Sequence, residues 1–397
     1  MFSGIFIKSL LVFYFSTVCF QQEFAVRDSG QELAGLNEAF HASIAAGDTS
    51  GSRDLLYSIL KILREDRADN ITVSNSQYYI GVYYLLNGRN KDAVNWLGSS
   101  VTIREQTKTV DEVYAKCLFN LALAHSKRGD FKKMEESILK FLDAEKSLHG
   151  DNSPELLDGY SALTGACISL KDYSRAIESG NKALNLIGEN RSEHINEMAI
   201  LYVNIGISHA FLSDYAKAVL FLERAESLYR TSSLPMDENY INLLNSLASN
   251  YHFLGQREKS EQYFNKGISM ISSANSDLSL NFLNSFAINM GNAGEAFKGE
   301  EILAGSLDKA GKVFGQSSRE YCEVLKNYAE FLKNFKLDIG KSIALFEKCN
   351  ELLKDNKEDI ALNESVLLGY AQALSDNGEN EKALGIIQNL LFDILSL

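Results

Sequence analysis

Six histidines, five cysteines and an acidic surplus are the residues that could carry metal, redox or nucleophilic chemistry in this chain, and their spacing argues against each. His41, His125, His149, His194, His209 and His252 stand in separate stretches, and no H-E-x-x-H pair places two imidazoles on one helical face. Cys19, Cys117, Cys167, Cys322 and Cys349 form no C-x-x-C and no cluster with histidine, so zinc and dithiol motifs are absent. The last four read as small buried apolar side chains, and only Cys322 with Cys349 would fall on opposite helices of one hairpin. No G-x-S-x-G elbow or phosphate-cradling loop occurs. Carboxylates such as Glu135, Glu136 and Glu223 read as outward, solvated faces. No catalytic residue, metal ligand set or cofactor site emerges, and the expectation is a protein that is not an enzyme.

The elements that would position any binding residue are helices in a repeating pair. Asn120-Leu121-Ala122 runs through Gly129-Asp130-Phe131 to Met134, and Asn204-Ile205-Gly206 runs through Ser213-Asp214-Tyr215 to Ala218 in the same rhythm. A small residue is followed about twelve positions later by another slim one, with a turn and an aromatic between. Aligned on that second position, the units fall at Ala93, Met134, Ala176, Ala218, Ser260, Gly299, Ser342 and Ala383, in steps of 39 to 43 residues. Tyr202, Ile205, Gly206 and His209 recur at three and four residues along one helix, as Ala218, Leu222 and Ala225 do along the next. Gly206 and Ala218 mark a close helix crossing, and the glycine or aspartate turns between helices supply the capping conformation that ends the first.

This pattern resembles the tetratricopeptide repeat over residues 70–397, in about eight units. Its period exceeds the usual 34 or so residues and is similar to the longer variety of kinesin light chains and exported bacterial repeat proteins. The longer connection is visible in Leu148-His149-Gly150-Asp151-Asn152-Ser153-Pro154 and in Val313-Phe314-Gly315-Gln316-Ser317-Ser318. Gly299 and a one-residue insertion near Leu337 to Gly340 depart from it. The resemblance implies an all-α fold, a right-handed superhelical solenoid of antiparallel helix hairpins. Residues 23–69 read as a degenerate capping hairpin, with Leu33, Leu36, Phe40 and Ile44 on one helix and Leu55, Leu56, Ile59, Leu60 and Leu63 on the other.

In that family the first helix of each unit lines a concave groove that takes extended peptides or partner helices. Counting from each small residue of the first helix, the resemblance places Tyr78, Tyr79, Asn120, Asn204, Asn242, Asn245, Ser249, Asn281, Asn284 and Asn327 on the groove, with Phe119, Val203 and Lys326 beside them. Asparagine recurs, and an amide that both donates and accepts can hold an extended backbone without demanding one sequence. The family's lysine and asparagine carboxylate clamp fits Lys116 and Asn120 locally, but Asp158 and Ser161 stand where further basic groups would be needed.

Composition narrows the partners. The 397 residues carry 39 Lys and Arg against 52 Asp and Glu, and a net charge of -13 opposes phosphate backbones, so no nucleic acid is expected. Met1 to Phe20 holds one charge, Lys8, and an apolar run from Leu10 to Phe20, which reads residues 1–22 as a signal peptide or membrane anchor. Membrane contact would come only through that segment. The expectation is an exported chain, periplasmic, outer-membrane-associated or secreted, that serves as a protein-protein interaction scaffold for a protein or peptide ligand. The alternatives are a sensor array of an exported CHAT-type protease system, whose repeats these resemble, and a saccharide binder that stacks sugars on Tyr78, Tyr79, Tyr83 and Tyr84.

Overall fold

The computed structural model describes residues 29–64, 69–188, 192–232, 234–235, 237–272, 277–292, 294–353 and 360–396. The signal or anchor segment and Cys19 lie outside them. Among the described residues the fold is an all-α repeat solenoid of eighteen helices without a strand, and no helix is long and apolar enough to cross a membrane.

Two compact units divide the chain, residues 1–212 and 213–397. The first holds α1 (Ser29–Ala45), α2 (Thr49–Leu63), α3 (Asn70–Leu86), α4 (Asn90–Thr107), α5 (Glu112–Lys127), α6 (Phe131–His149), α7 (Glu155–Ser169), α8 (Tyr173–Ile187) and α9 (Ile195–Phe211). The second holds α10 (Tyr215–Thr231), α11 (Glu238–Phe253), α12 (Arg257–Ser272), α13 (Asp277–Asn292), α14 (Ala296–Val313), α15 (Arg319–Asn334), α16 (Ile339–Leu353), α17 (Ile360–Asp376) and α18 (Asn380–Ser396). Hairpins form from α1 with α2, α3 with α4, α5 with α6 and α7 with α8, and in the second unit from α11 with α12 through α17 with α18. In the second unit α11 meets α13, α13 meets α15 and α15 meets α17, so the first helices of successive hairpins make a continuous layer.

The register follows from the slim residues. All eight aligned positions, from Ala93 to Ala383, are buried. Where that residue is serine it also closes the crossing with a hydrogen bond: Ser260 Oγ donates to the Ala248 carbonyl at 2.7 Å, and Ser342 Oγ to the Ala329 carbonyl at 2.7 Å. Gly299 takes the same place, and a Cβ added there would lie 2.5 Å from Phe331 Cζ and 2.7 Å from the Ala287 carbonyl oxygen. The departure from pattern at Gly299 is thus a response to the phenylalanine that the next hairpin inserts. The insertion near Leu337 to Gly340 falls in the turn between α15 and α16, just after Lys336, which takes a left-handed φ of 52°.

Each hairpin turn sets one such left-handed residue: Gly47, Gly88, Gly129 and Lys171 in the first unit, and Gly255, Gly294, Lys336 and Gly378 in the second. Aspartate then caps the helix that follows at several turns, as Asp172 does by accepting from the Arg175 amide. Near the N-terminus, Leu33, Phe40, Leu56, Ile59 and Ile62 bury together as the seam of α1 and α2, which Ile80 of α3 extends.

Polar groups join the hairpins in places where sequence patterning gives no hint. Arg104 is fully buried, donating from Nε to Asp111 Oδ1 at 3.0 Å, from Nη2 to Asn75 Oδ1 at 2.6 Å and from Nη1 to the Ser74 hydroxyl. In the second unit tyrosine, glutamate and lysine recur as a clasp. Tyr328 donates to Glu300 at 3.1 Å while Lys341 reaches both, and Lys266 pairs with Glu226 at 2.9 Å over the ring of Tyr240. Glu223 accepts from the Tyr251 hydroxyl, and Glu135 in the first unit pairs with Arg175. Two of the carboxylates read as solvated are therefore ties between neighbouring hairpins. The four described cysteines are buried free thiols, as expected of small apolar side chains, and Cys349 Sγ donates to the Cys322 carbonyl at 3.3 Å.

Candidate functional site

The first-helix layer of the second unit carries a polar strip. Asn242 on α11 is exposed, while Asn245, Ser249, Asn284 and Asn327 are half-buried. Asn289 Nδ2 on α13 donates to Asn245 Oδ1 at 3.3 Å and to Ser249 Oγ at 2.5 Å, which links two consecutive first helices through side chains. Lys326 Nζ on α15 donates to Ser365 Oγ on α17 at 3.4 Å and does the same between the last two. Asn284 occupies the position on α13 that Asn245 occupies on α11, three residues before Ala287 and Ala248 respectively, yet its side-chain oxygen has no donor. The side chain of Asn281 lies outside the described residues. Asn289 was not among the sequence-derived positions because it stands two residues after the small residue Ala287, an offset outside the counting rule.

The first unit distributes its expected residues differently. Tyr78 and Tyr79 are half-buried with ring centroids 5.1 Å apart, and Tyr79 lies 5.1 Å from the ring of His41. Burial, with the Glu38 charge nearby, raises the Tyr79 hydroxyl above the usual tyrosine range. Tyr83 packs on Phe40 at 5.6 Å, and Arg89 covers the ring of Tyr84 at 4.5 Å. These four rings are occupied by neighbours rather than spread as a stacking platform. Asn120 is half-buried and donates back to the Lys116 carbonyl at 2.9 Å, while Asn204 is buried, only 8% exposed. On α7, burial together with the Glu197 and Glu155 charges pushes the Asp158 carboxyl up to about 6.

Two other places gather chemistry. A cleft of about 260 Å³ between the α11/α12 and α13/α14 hairpins is lined by His252, Arg257, Phe264, Phe286, Glu295 and Lys298, with mixed charge and none of the strip residues. In the first unit Glu112, Glu145 and His149 bring potential ligand atoms within 4.8 Å of one another, a convergence across 37 residues that no local motif announces.

The sequence model of the tetratricopeptide repeat matches residues 241–273. No curated protein matches the chain. Among solved structures, the apo form of RapI is similar at 15% identity with a TM-score of 0.54, covering 88% of this chain and 88% of that one. The apo quorum sensor NprR from B. thuringiensis is similar at 14% identity with a TM-score of 0.51, covering 92% and 99%. A tetratricopeptide repeat protein from Parabacteroides merdae ATCC 43184 is similar at 14% identity with a TM-score of 0.48, covering 74% and 99%.

Proposed function

The chain is a tetratricopeptide-like helical repeat protein, and from that premise we propose that it is a non-catalytic scaffold holding an extended segment of a partner protein against the first-helix layer of residues 213–397. The supporting observation is the arrangement of amides: Asn289 reaches back to Asn245 and Ser249, Asn242 is exposed beside them, and the Asn284 oxygen lacks a donor. A backbone laid along this strip would meet alternating donors and acceptors, which favours an extended chain over a particular side-chain sequence. One protein of similar fold is a quorum sensor, a receptor role that calls for a recognition surface.

The location proposed with this reading is the cell envelope or exterior, on the strength of the apolar run in Met1 to Phe20. The combined Asn245→Ala and Asn284→Ala variant tests the surface. Loss of one hydrogen bond costs about 0.5 to 1.5 kcal/mol, so two together should weaken capture of a partner from an envelope extract by about 5- to 150-fold. Thermal stability should stay near wild type. Equal capture by variant and wild type would place the contact elsewhere.

A further inference from the structure

Glu145 on α6 is a carboxylate only 2% exposed, and the hydrogen bond that reaches it comes from the Ser153 hydroxyl at 3.2 Å. That hydroxyl also lies 2.7 Å from a Glu155 carboxylate oxygen, and a hydroxyl has one proton to give. Either Glu145 or Glu155 must forgo it. A buried carboxylate without full hydrogen bonding needs a proton or a cation. Burial, with Glu155 and Glu112 adding negative charge, holds the Glu145 carboxyl above its ordinary range.

One turn further along α6, on the same helical face, His149 presents Nε2 2.5 Å from Glu112 Oε1 at the start of α5. An ion pair accounts for Glu112 with His149, but it leaves Glu145 facing two other carboxylates. We propose that Glu112, Glu145 and His149 form a site for one divalent transition-metal cation of the zinc class. Two carboxylate oxygens and an imidazole nitrogen suit that class, with water in the fourth position, whereas calcium and magnesium prefer all-oxygen sets. The side chains of Glu112 and His149 are 53% and 42% exposed, so both can part to admit an ion while Glu145 stays fixed in the hairpin. Ser153 then orients the buried ligand, and the ion ties the first turn of α5 to the last turn of α6.

The test is zinc titration of the full chain, stripped of metal, by calorimetry and by thermal melting. Wild type should take up one equivalent and melt at a higher temperature with zinc present. His149→Ala and Glu112→Gln should each weaken uptake by about tenfold or more and abolish the zinc-dependent rise. Glu145→Gln should also lose that rise while melting no lower than wild type without metal, because it removes a buried charge. His252→Ala, in the other unit, should bind zinc as wild type does. No uptake by wild type at up to about 0.1 mM free zinc, a bound weaker than any functional site would need, would overturn the proposal. Equal uptake by wild type and His149→Ala would overturn it as well.

Discussion

Gly299 and Gly305 lie in the same helix, α14, and replacing each by alanine should move stability in opposite directions. At Gly299 the new Cβ would stand 2.5 Å from Phe331 Cζ and 2.7 Å from the Ala287 carbonyl oxygen, whereas at Gly305 nothing lies within 4 Å. Carbon atoms in good contact sit about 3.5 to 4.0 Å apart. One obstacle at Gly299 is backbone, so side-chain rotation alone cannot relieve the clash. Overpacking of this kind costs about 1 to 3 kcal/mol. Alanine returns about 1 kcal/mol through its better helix propensity. The net loss for Gly299→Ala should be about 1 to 2 kcal/mol, taking the upper half of the overpacking range because a carbonyl is involved. Gly305→Ala should gain about 0.5 to 1 kcal/mol, since only the propensity acts. Urea unfolding followed by circular dichroism would read the difference. Native-state hydrogen exchange of α13 to α15 would localise it if the array unfolds in parts. A neutral or stabilised Gly299→Ala, or equal losses at both positions, would refute the assignment of Gly299 to the helix crossing.

Three further outcomes follow from single side chains. The folded state holds the Asp158 proton more tightly than the unfolded chain, whose aspartates titrate near about 3.9, so stability should fall as pH rises from about 4 to 6. Asp158→Asn should therefore raise stability at pH 7 by about 1 to 3 kcal/mol and leave it unchanged near pH 4, read as melting temperature against pH. Arg104→Met strips a fully buried cation from Asp111, Asn75 and Ser74; Asp111 is partly exposed and can hydrate, so the loss should be about 2 to 4 kcal/mol in urea unfolding. Lys171 holds φ at 62° where neighbouring turns use glycine, and Lys171→Gly should raise the urea midpoint by about 0.5 kcal/mol of stability, while Gly129→Ala should lower it by about 1.

The repeat was legible because a close crossing between two helix backbones favours slim residues, and that demand marks seven of the eight aligned positions from Ala93 to Ala383, Met134 being the exception. The apolar seam of α1 and α2 was legible for the same kind of reason, a helical period in Leu33, Phe40, Leu56 and Ile59. Pairings between hairpins were not. Nothing local distinguishes Arg104 from a surface arginine, since Ser74 and Asn75 reach it across its own hairpin and Asp111 from the start of the next. Glu223 reads as outward on its own helix, and only stacking brings the Tyr251 hydroxyl to it. On the polar strip, Asn242 and Asn245 could be found by counting from Ala248, but Asn289 joins Asn245 and Ser249 only because α13 packs beside α11. The convergence of Glu112 with His149 likewise depends on where α5 starts relative to the end of α6.

Site-specific photocrosslinking tests the central claim most directly. A photoreactive residue would replace the exposed Asn242 on the first-helix strip in one chain, and the exposed Glu258 on the second helix of the same hairpin in another. Both would be illuminated in an envelope extract and resolved by mass. Partner adducts should form from position 242 and disappear when Asn245 and Asn284 are also replaced by alanine. Adducts from position 258 alone, or adducts at 242 that persist without those amides, would contradict the account.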